Sequence, residues 1–151
     1  MNSLSEIAVE THKLSYQHKG KYPVQVLAGI DLQALAGSFI SLIGPSGCGK
    51  STMLRILAGL LHPDSGEVLI GGVSALGNTR LTAYMPQNDL LFPWLHTIRN
   101  AILGAEIAGV KAKIATQKAS QLMSLFGLEG FERAWPAQLS GGMRQRAMIA
   151  M

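Results

Sequence analysis

Apolar and polar residues alternate from Ile7 to Tyr16 and again from Val24 to Leu35, on either side of a Gly20/Pro23 break. A period of two interrupted by turn residues predicts an N-terminal β-hairpin. After Gly37 the run Phe39-Ile40-Ser41-Leu42-Ile43 is short, apolar and closed by glycine, the pattern of a strand buried on both faces. The period then lengthens. Met53, Leu54, Leu57, Leu60 and Leu61 fall at i, i+1, i+4, i+7 and i+8, which predicts a helix stopped by His62-Pro63. Pro63-Asp64-Ser65-Gly66 reads as a turn, followed by strands at Glu67–Ile70 and Ala83–Met85.

From Thr97 onward the pattern is helical. Thr97 is placed to cap a short helix through Ile107 that Gly109 breaks. A second helix is expected from about Lys111 to Phe126, with Ile114, Ala115, Leu122, Met123, Leu125 and Phe126 mostly on one face and Gly127 as its stop. After a loop through Pro136, Ser140 stands as an N-cap before Gly141-Gly142 and a last helix that runs to Met151. The chain contains no internal repeat and no low-complexity tract.

Composition narrows the class. Hydrophobic residues form 48% of the chain, which excludes intrinsic disorder. Thirteen basic residues against nine acidic ones leave a formal charge of +4. A single cysteine, Cys48, excludes an internal disulfide framework and a multi-cysteine zinc site. The polar beginning has no secretory core, so a reducing, cytoplasmic compartment is expected. Arg55 interrupts the most apolar helical stretch, and no run approaches the ~18–20 apolar residues of a membrane span. His12, His18, His62 and His96 show no metal-ligand spacing. Arg133, Arg144 and Arg146 lack the interleaved aromatics of a nucleic-acid surface, and no nucleic-acid partner is expected.

Among the 17 glycines, two clusters stand out, Gly44/Gly47/Gly49 and Gly141-Gly142. The first is Gly44-Pro45-Ser46-Gly47-Cys48-Gly49-Lys50-Ser51, followed by Thr52, which matches G-x-x-x-x-G-K-[ST] between an expected strand and an expected helix. Glycines let such a loop wrap phosphate oxygens, successive N–H groups form an anion nest, and the helix N-terminus adds its positive dipole end. Lys50 then supplies the point charge for β/γ-phosphates, and Ser51 the hydroxyl ligand of Mg²⁺. Cys48 reads either as a small filler whose backbone matters or as a thiol activated at a helix N-terminus.

Further segments resemble the nucleotide-binding subunit of ATP-binding cassette (ABC) transporters, from near residue 4 to the end. The resemblance implies an α/β P-loop NTPase: an ABC ATPase-type sheet core with an N-terminal antiparallel β region and a helical subdomain. Residues 1–88 would form the β region and P-loop core through the Q-loop, 89–138 the helical subdomain, and 139–151 the signature motif and the start of the following helix. Tyr16, in Lys13-Leu14-Ser15-Tyr16, matches the aromatic that stacks on adenine, with Tyr22 the lesser candidate; a strand tyrosine packed on the sheet is the alternative. Gln87, in Tyr84-Met85-Pro86-Gln87, resembles the Q-loop glutamine that binds Mg²⁺ and positions water, a role suited to an amide that accepts and donates. Leu139-Ser140-Gly141-Gly142-Met143-Arg144-Gln145-Arg146 resembles the ABC signature, with Met143 where glutamine is commonest; Ser140, Gly141, Gly142 and Met143 would complete the ATP pocket of a second subunit. In Leu90-Leu91-Phe92-Pro93-Trp94, Phe92 and Trp94 match the region that contacts a membrane permease, although a self-packed loop core would use the same residues.

By resemblance, a hydrophobic strand ending Asp-Glu (Walker B and the catalytic Glu) and a later H-loop histidine follow the signature, and none is present here. The chain is therefore expected to be a C-terminally truncated importer ATPase of nitrate, sulfonate, taurine or thiamine-precursor type, lacking the C-terminal part of the core. ATP and Mg²⁺ are the implied cofactors. A second nucleotide-binding subunit (a homodimer), a transmembrane permease and, indirectly, a solute-binding protein are the implied partners, at the inner face of the plasma membrane. Hydrolysis by the chain alone is not expected. A non-catalytic ATP-binding remnant is the rival reading. A DNA-repair ABC ATPase is less favoured, because only a compact helical segment separates Ser51 from Ser140.

Overall fold

Alternation builds the first unit. In the computed structural model, which describes residues 6–88 and 90–151, strand β1 (Ile7–His18) pairs antiparallel with β2 (Val24–Leu35), as the hairpin pattern predicts. Leu4, where the resemblance begins, and position 89, where the helical subdomain is expected to begin, lie outside the described residues. Strand β3 (Ser65–Ile70) adds antiparallel to the other edge of β1, and a two-residue strand β4 (Val73–Ser74) completes the order β2-β1-β3-β4. Helix α1 (Lys50–Leu57) lays Met53 and Ile56 on this sheet against Leu14, Leu27 and Val68. Burying each such side chain stabilises the fold by about 1.5–3 kcal/mol.

The run Phe39–Ile43 corrects the sequence reading. It forms no strand: Phe39 is 94% and Ile43 92% exposed, and Leu42 alone packs partway into the core. A strand buried on both faces is a property of its neighbours. Among the described residues no strand pairs with this run, so its β-propensity has nothing to act on. Ala83–Met85 is likewise irregular.

Helix α1 also ends earlier than His62-Pro63. Gly59 takes φ +69°, its N–H bonds Ile56 O, and the Leu60 N–H bonds Arg55 O, both at 2.9 Å. That is the Schellman arrangement, open to glycine because it has no Cβ to strain. A Cβ on Gly59 would moreover stand 2.7 Å from Ala75 O. Leu54 and Leu60 are exposed, and Ile56, outside the predicted register, is the residue fully buried.

The chain divides into two compact units, Met1–Tyr84 and Met85–Met151. The second is helical: α2 (Thr97–Ile107), α3 (Ala112–Leu125), a 3-10 turn at Pro136–Gln138 and α4 (Gly141–Ile149). Gly109 and Gly127 end α2 and α3 with the same paired bonds that Gly59 makes, as expected of these glycines. Two expectations need correction. Ile114 and Leu125 of α3 are exposed, while Ala115, Ala119 and Met123 are buried; small residues let α3 approach Ala101 and Ile102 of α2 closely. Thr97 is the first helical residue and not the cap, because its hydroxyl is already bonded to Ala134 O at 2.9 Å; the N-cap is His96.

Candidate functional site

The glycine loop is held against the sheet at one point. Gly49 is the N-cap of α1 at φ +98°, and a Cβ there would meet Val26 O at 2.9 Å and the Val26 and Leu27 side chains at 3.0 Å. Only a residue without a side chain permits this approach. Leu27 is in turn the register partner of Tyr16 across β1 and β2. The sheet thus brings Tyr16 beside the strand on which the loop rests, although the two are 33 positions apart in sequence (49 − 16). Tyr16 packs partway against the first core, and Tyr22 stands well exposed.

The loop has the geometry of an anion cradle. Gly44 to Cys48 are exposed, Gly47 has φ +82°, and the Cys48 N–H makes a turn bond to Pro45 O at 3.4 Å. At the start of α1, the N–H groups of Lys50, Ser51 and Thr52 have no acceptor within the helix. Lys50 Nζ donates to the carbonyls of Gly44 and Pro45, both at 2.7 Å, and lies 3.5 Å from Cys48 Sγ. The ammonium is therefore already folded over the nest it would serve. Cradle, unpaired amides and cation together fit a phosphate chain, and the exposed Ser51 hydroxyl fits a hard cation beside it.

The second unit carries the other glycine cluster. Ser140 caps α4, its Oγ accepting the Met143 N–H at 3.3 Å, and Ser140, Gly141 and Gly142 are exposed. The Met143 side chain packs against the core of Leu91, Met123, Leu128 and Leu139. A thioether at this position is therefore accommodated as a core contact while the amide serves the cap. Both arginines of this segment bind main-chain carbonyls. Arg144 donates to Leu139 O at 2.6 Å, and Arg146 to Phe126 O at 2.8 Å. Gln87 and Asn88 line a polar hollow of about 460 Å³ with Gly141, Arg144 and Gln145.

In the aromatic loop, Leu91 is 6% exposed and anchors the segment, Trp94 is 67% exposed, and the Phe92 and Trp94 rings stand 5.3 Å apart. Two buried polar residues hold this region in a way the sequence did not make legible. Thr97 and Asn100 are both fully buried, and Asn100 is bonded to the main chain of Phe92 and Leu95. The one signal was an asparagine, a weak helix former, inside the apolar helix Thr97–Ile107.

Comparisons with known proteins identify the family. The sequence profile of the family described as ABC transporter matches residues 27–151. The chain is 38% identical over 147 residues to the taurine import ATP-binding protein TauB of Pseudomonas aeruginosa, covering 97% of this chain and 56% of TauB. It is 39% identical over 135 residues to the aliphatic sulfonates import ATP-binding protein SsuB of Bacillus cereus, covering 89% of this chain and 53% of SsuB. The chain thus spans about half the length of these relatives. Among solved structures, the dimeric post-hydrolysis state of the ATP-binding cassette MJ0796 bound to ADP and Pi superposes with a TM-score of 0.83 at 30% identity, covering 94% of this chain and 67% of that one. With a glycine cradle opening α1, a serine-capped Gly-Gly turn opening α4 and a family match over most of its length, the chain belongs to the ABC transporter family.

Proposed function

We propose that the chain carries the nucleotide-binding elements of an importer's ATP-binding subunit, with ATP and Mg²⁺ as ligands. The observation that carries the reading is the seating of Gly49 on β2, which fixes the phosphate cradle one strand from Tyr16. Backbone amides from Gly44 to Thr52 would hold phosphate oxygens, Lys50 would swing from its two carbonyls onto them, and Tyr16 would face the base. When bound, Mg²⁺ supplies charge neutralisation between phosphate oxygens. Ser51 and Gln87 are its proposed protein ligands, and Gln87 the group that orients water. Ser140 to Met143 would contact nucleotide held by a second copy, a role that the exposure of the Ser-Gly-Gly turn supports.

Phe92 and Trp94 would meet a transmembrane permease, which places the protein at the inner membrane face. The import roles of TauB and SsuB support a small solute of the taurine or sulfonate class as cargo for the complete transporter. No helix among the described residues is long and apolar enough to cross a membrane.

Lys50→Ala tests the site. Hydrogen bonds to charged groups are worth ~1.5–3 kcal/mol, so titration with a fluorescent ATP analogue should show binding weakened roughly ten- to a hundredfold. Equal affinities of the wild type and the variant would mean that the loop is not the nucleotide site.

A further inference from the structure

Among the described residues three polar side chains are buried, Thr11, Thr97 and Asn100, and two of them share the first turn of α2. Each is bonded to a different loop. Asn100 Oδ1 accepts the Phe92 N–H at 2.7 Å, and its Nδ2 donates to Phe92 O at 3.2 Å and Leu95 O at 2.9 Å. One amide therefore closes both ends of the segment that displays Phe92 and Trp94. Thr97 holds the other side. Its hydroxyl and its own N–H both donate to Ala134 O at 2.9 Å, and the Ile98 N–H donates to Glu132 O at 2.9 Å. The His96 ring lies against Trp135, with centroids 3.8 Å apart and the planes tilted by 38°. From Trp135 the route to the capping serine is short: the Trp135 N–H donates to Gln138 Oε1, Leu139 is buried, and Ser140 follows.

We propose that the first turn of α2 is a two-sided clamp, in which Asn100 and Thr97 act as positioning residues that tie the aromatic loop to the segment setting Ser140. Buried amides and hydroxyls are costly to leave unbonded, so neither loop shifts without stranding a polar group or carrying the helix turn with it. A displacement of Phe92 and Trp94 is thereby passed to residues 132–140. The functional meaning rests on the reading of that loop as the permease contact; the clamp itself does not. Asn100 and Thr97 carry no charge, and among the described residues no group of three His, Cys, Asp or Glu is arranged to hold a metal.

The test is reciprocity, since coupling between two sites acts equally in both directions. In the 151-residue chain, residue-resolved amide exchange is measured for Thr97→Val, which keeps the shape and removes the hydroxyl, for Thr97→Ser, which restores it, and for Asn100→Ala. Thr97→Val should speed exchange about tenfold not only at Trp135 and Met143 but also at Phe92 and Leu95 across the turn. Asn100→Ala should do the converse, Thr97→Ser should return wild-type rates, and Ala119 and Met123 of α3 should be unchanged. Faster exchange confined to each variant's own loop overturns the clamp, and so does an equal increase in α3, which reports loosening of the whole unit. Should Asn100→Ala unfold the unit, the isosteric Thr97 pair decides alone. No membrane partner enters the measurement, so its failure is separate from any failure of Trp94 to bind a permease.

Discussion

Gly49→Ala is the sharpest test of how the phosphate loop is seated, because three glycines of one loop meet different surroundings. At Gly49 a methyl group faces two penalties. A left-handed φ of +98° is unfavourable for an L-residue by ~1–2 kcal/mol. The Cβ also stands 2.9 Å from the Val26 carbonyl, a backbone atom that cannot rotate away. Overpacking of this kind typically costs about 1–3 kcal/mol. The sum is roughly 2–5 kcal/mol. At Gly47 the φ of +82° brings the first penalty, but nothing lies within 4 Å, so ~1–2 kcal/mol is expected. At Gly44 only Cys48 Sγ is near, at 2.8 Å, and a thiol at the end of a side chain turns aside with little loss.

Each substitution removes similar backbone freedom from the unfolded chain, so the differences among the three are firmer than the absolute values. Amide exchange in β1 and β2 reads the stability of the first unit alone. The expected order of destabilisation is Gly49→Ala, then Gly47→Ala, then Gly44→Ala. If Gly49→Ala is no worse than Gly47→Ala, the loop does not rest on Val26, and the proximity of Tyr16 to the cradle fails with it.

Two further outcomes are expected. The Asp64 carboxyl is held below its usual value of 3.8, first by the Gln17 N–H at 2.6 Å and then by the Lys19 ammonium at 3.2 Å. A lowered folded-state value means the tie is present above the ordinary carboxylate range and lost as pH falls through the depressed one, so the Gln17 amide shift should titrate with a midpoint below 3.8, an effect abolished in Asp64→Asn. A midpoint at or above 3.8 contradicts the bond. Trp94→Ala should leave thermal stability nearly unchanged while reducing co-purification with a permease in the complete transporter, whereas Leu91→Ala should destabilise by about 2–5 kcal/mol; the opposite ranking would make the loop a core element.

The features legible in the sequence are those that depend on local chemistry. Gly109 and Gly127 stop helices because a positive φ after the last turn is a demand on one residue, and Ser140 caps α4 because its hydroxyl reaches three residues along. Gly59 does the same work and was masked by His62-Pro63, a louder punctuation three residues on. What was not legible depends on partners. Phe39–Ile43 has the composition of a central strand and, among the described residues, no strand beside it. Large apolar residues drew the predicted face of α3 toward Ile114 and Leu125, although close helix contact selects Ala115 and Ala119. Thr97 has the chemistry of a cap, but whether its hydroxyl is free to act as one was decided by Ala134, 37 residues away. In the candidate site, the cradle could be read residue by residue. Its neighbourhood with Tyr16 needed the register of β1 on β2.

The run Phe39–Ile43, irregular and mostly exposed, leads directly into the phosphate loop, whereas the other end of the loop is seated on Val26 where α1 begins. Few buried contacts and unpaired main-chain groups place such a segment at the low end of local stability. If the loop binds nucleotide as proposed, affinity would report how far that segment is ordered: a ligand that needs the ordered loop binds with an apparent constant weakened by the fraction of molecules already ordered. Fixing even two residues of backbone carries about 2–4 kcal/mol of entropy, which corresponds to some thirty- to a thousandfold in affinity. On the proposed reading of the loop, an element that ordered Phe39–Ile43 would strengthen nucleotide binding without touching the nucleotide.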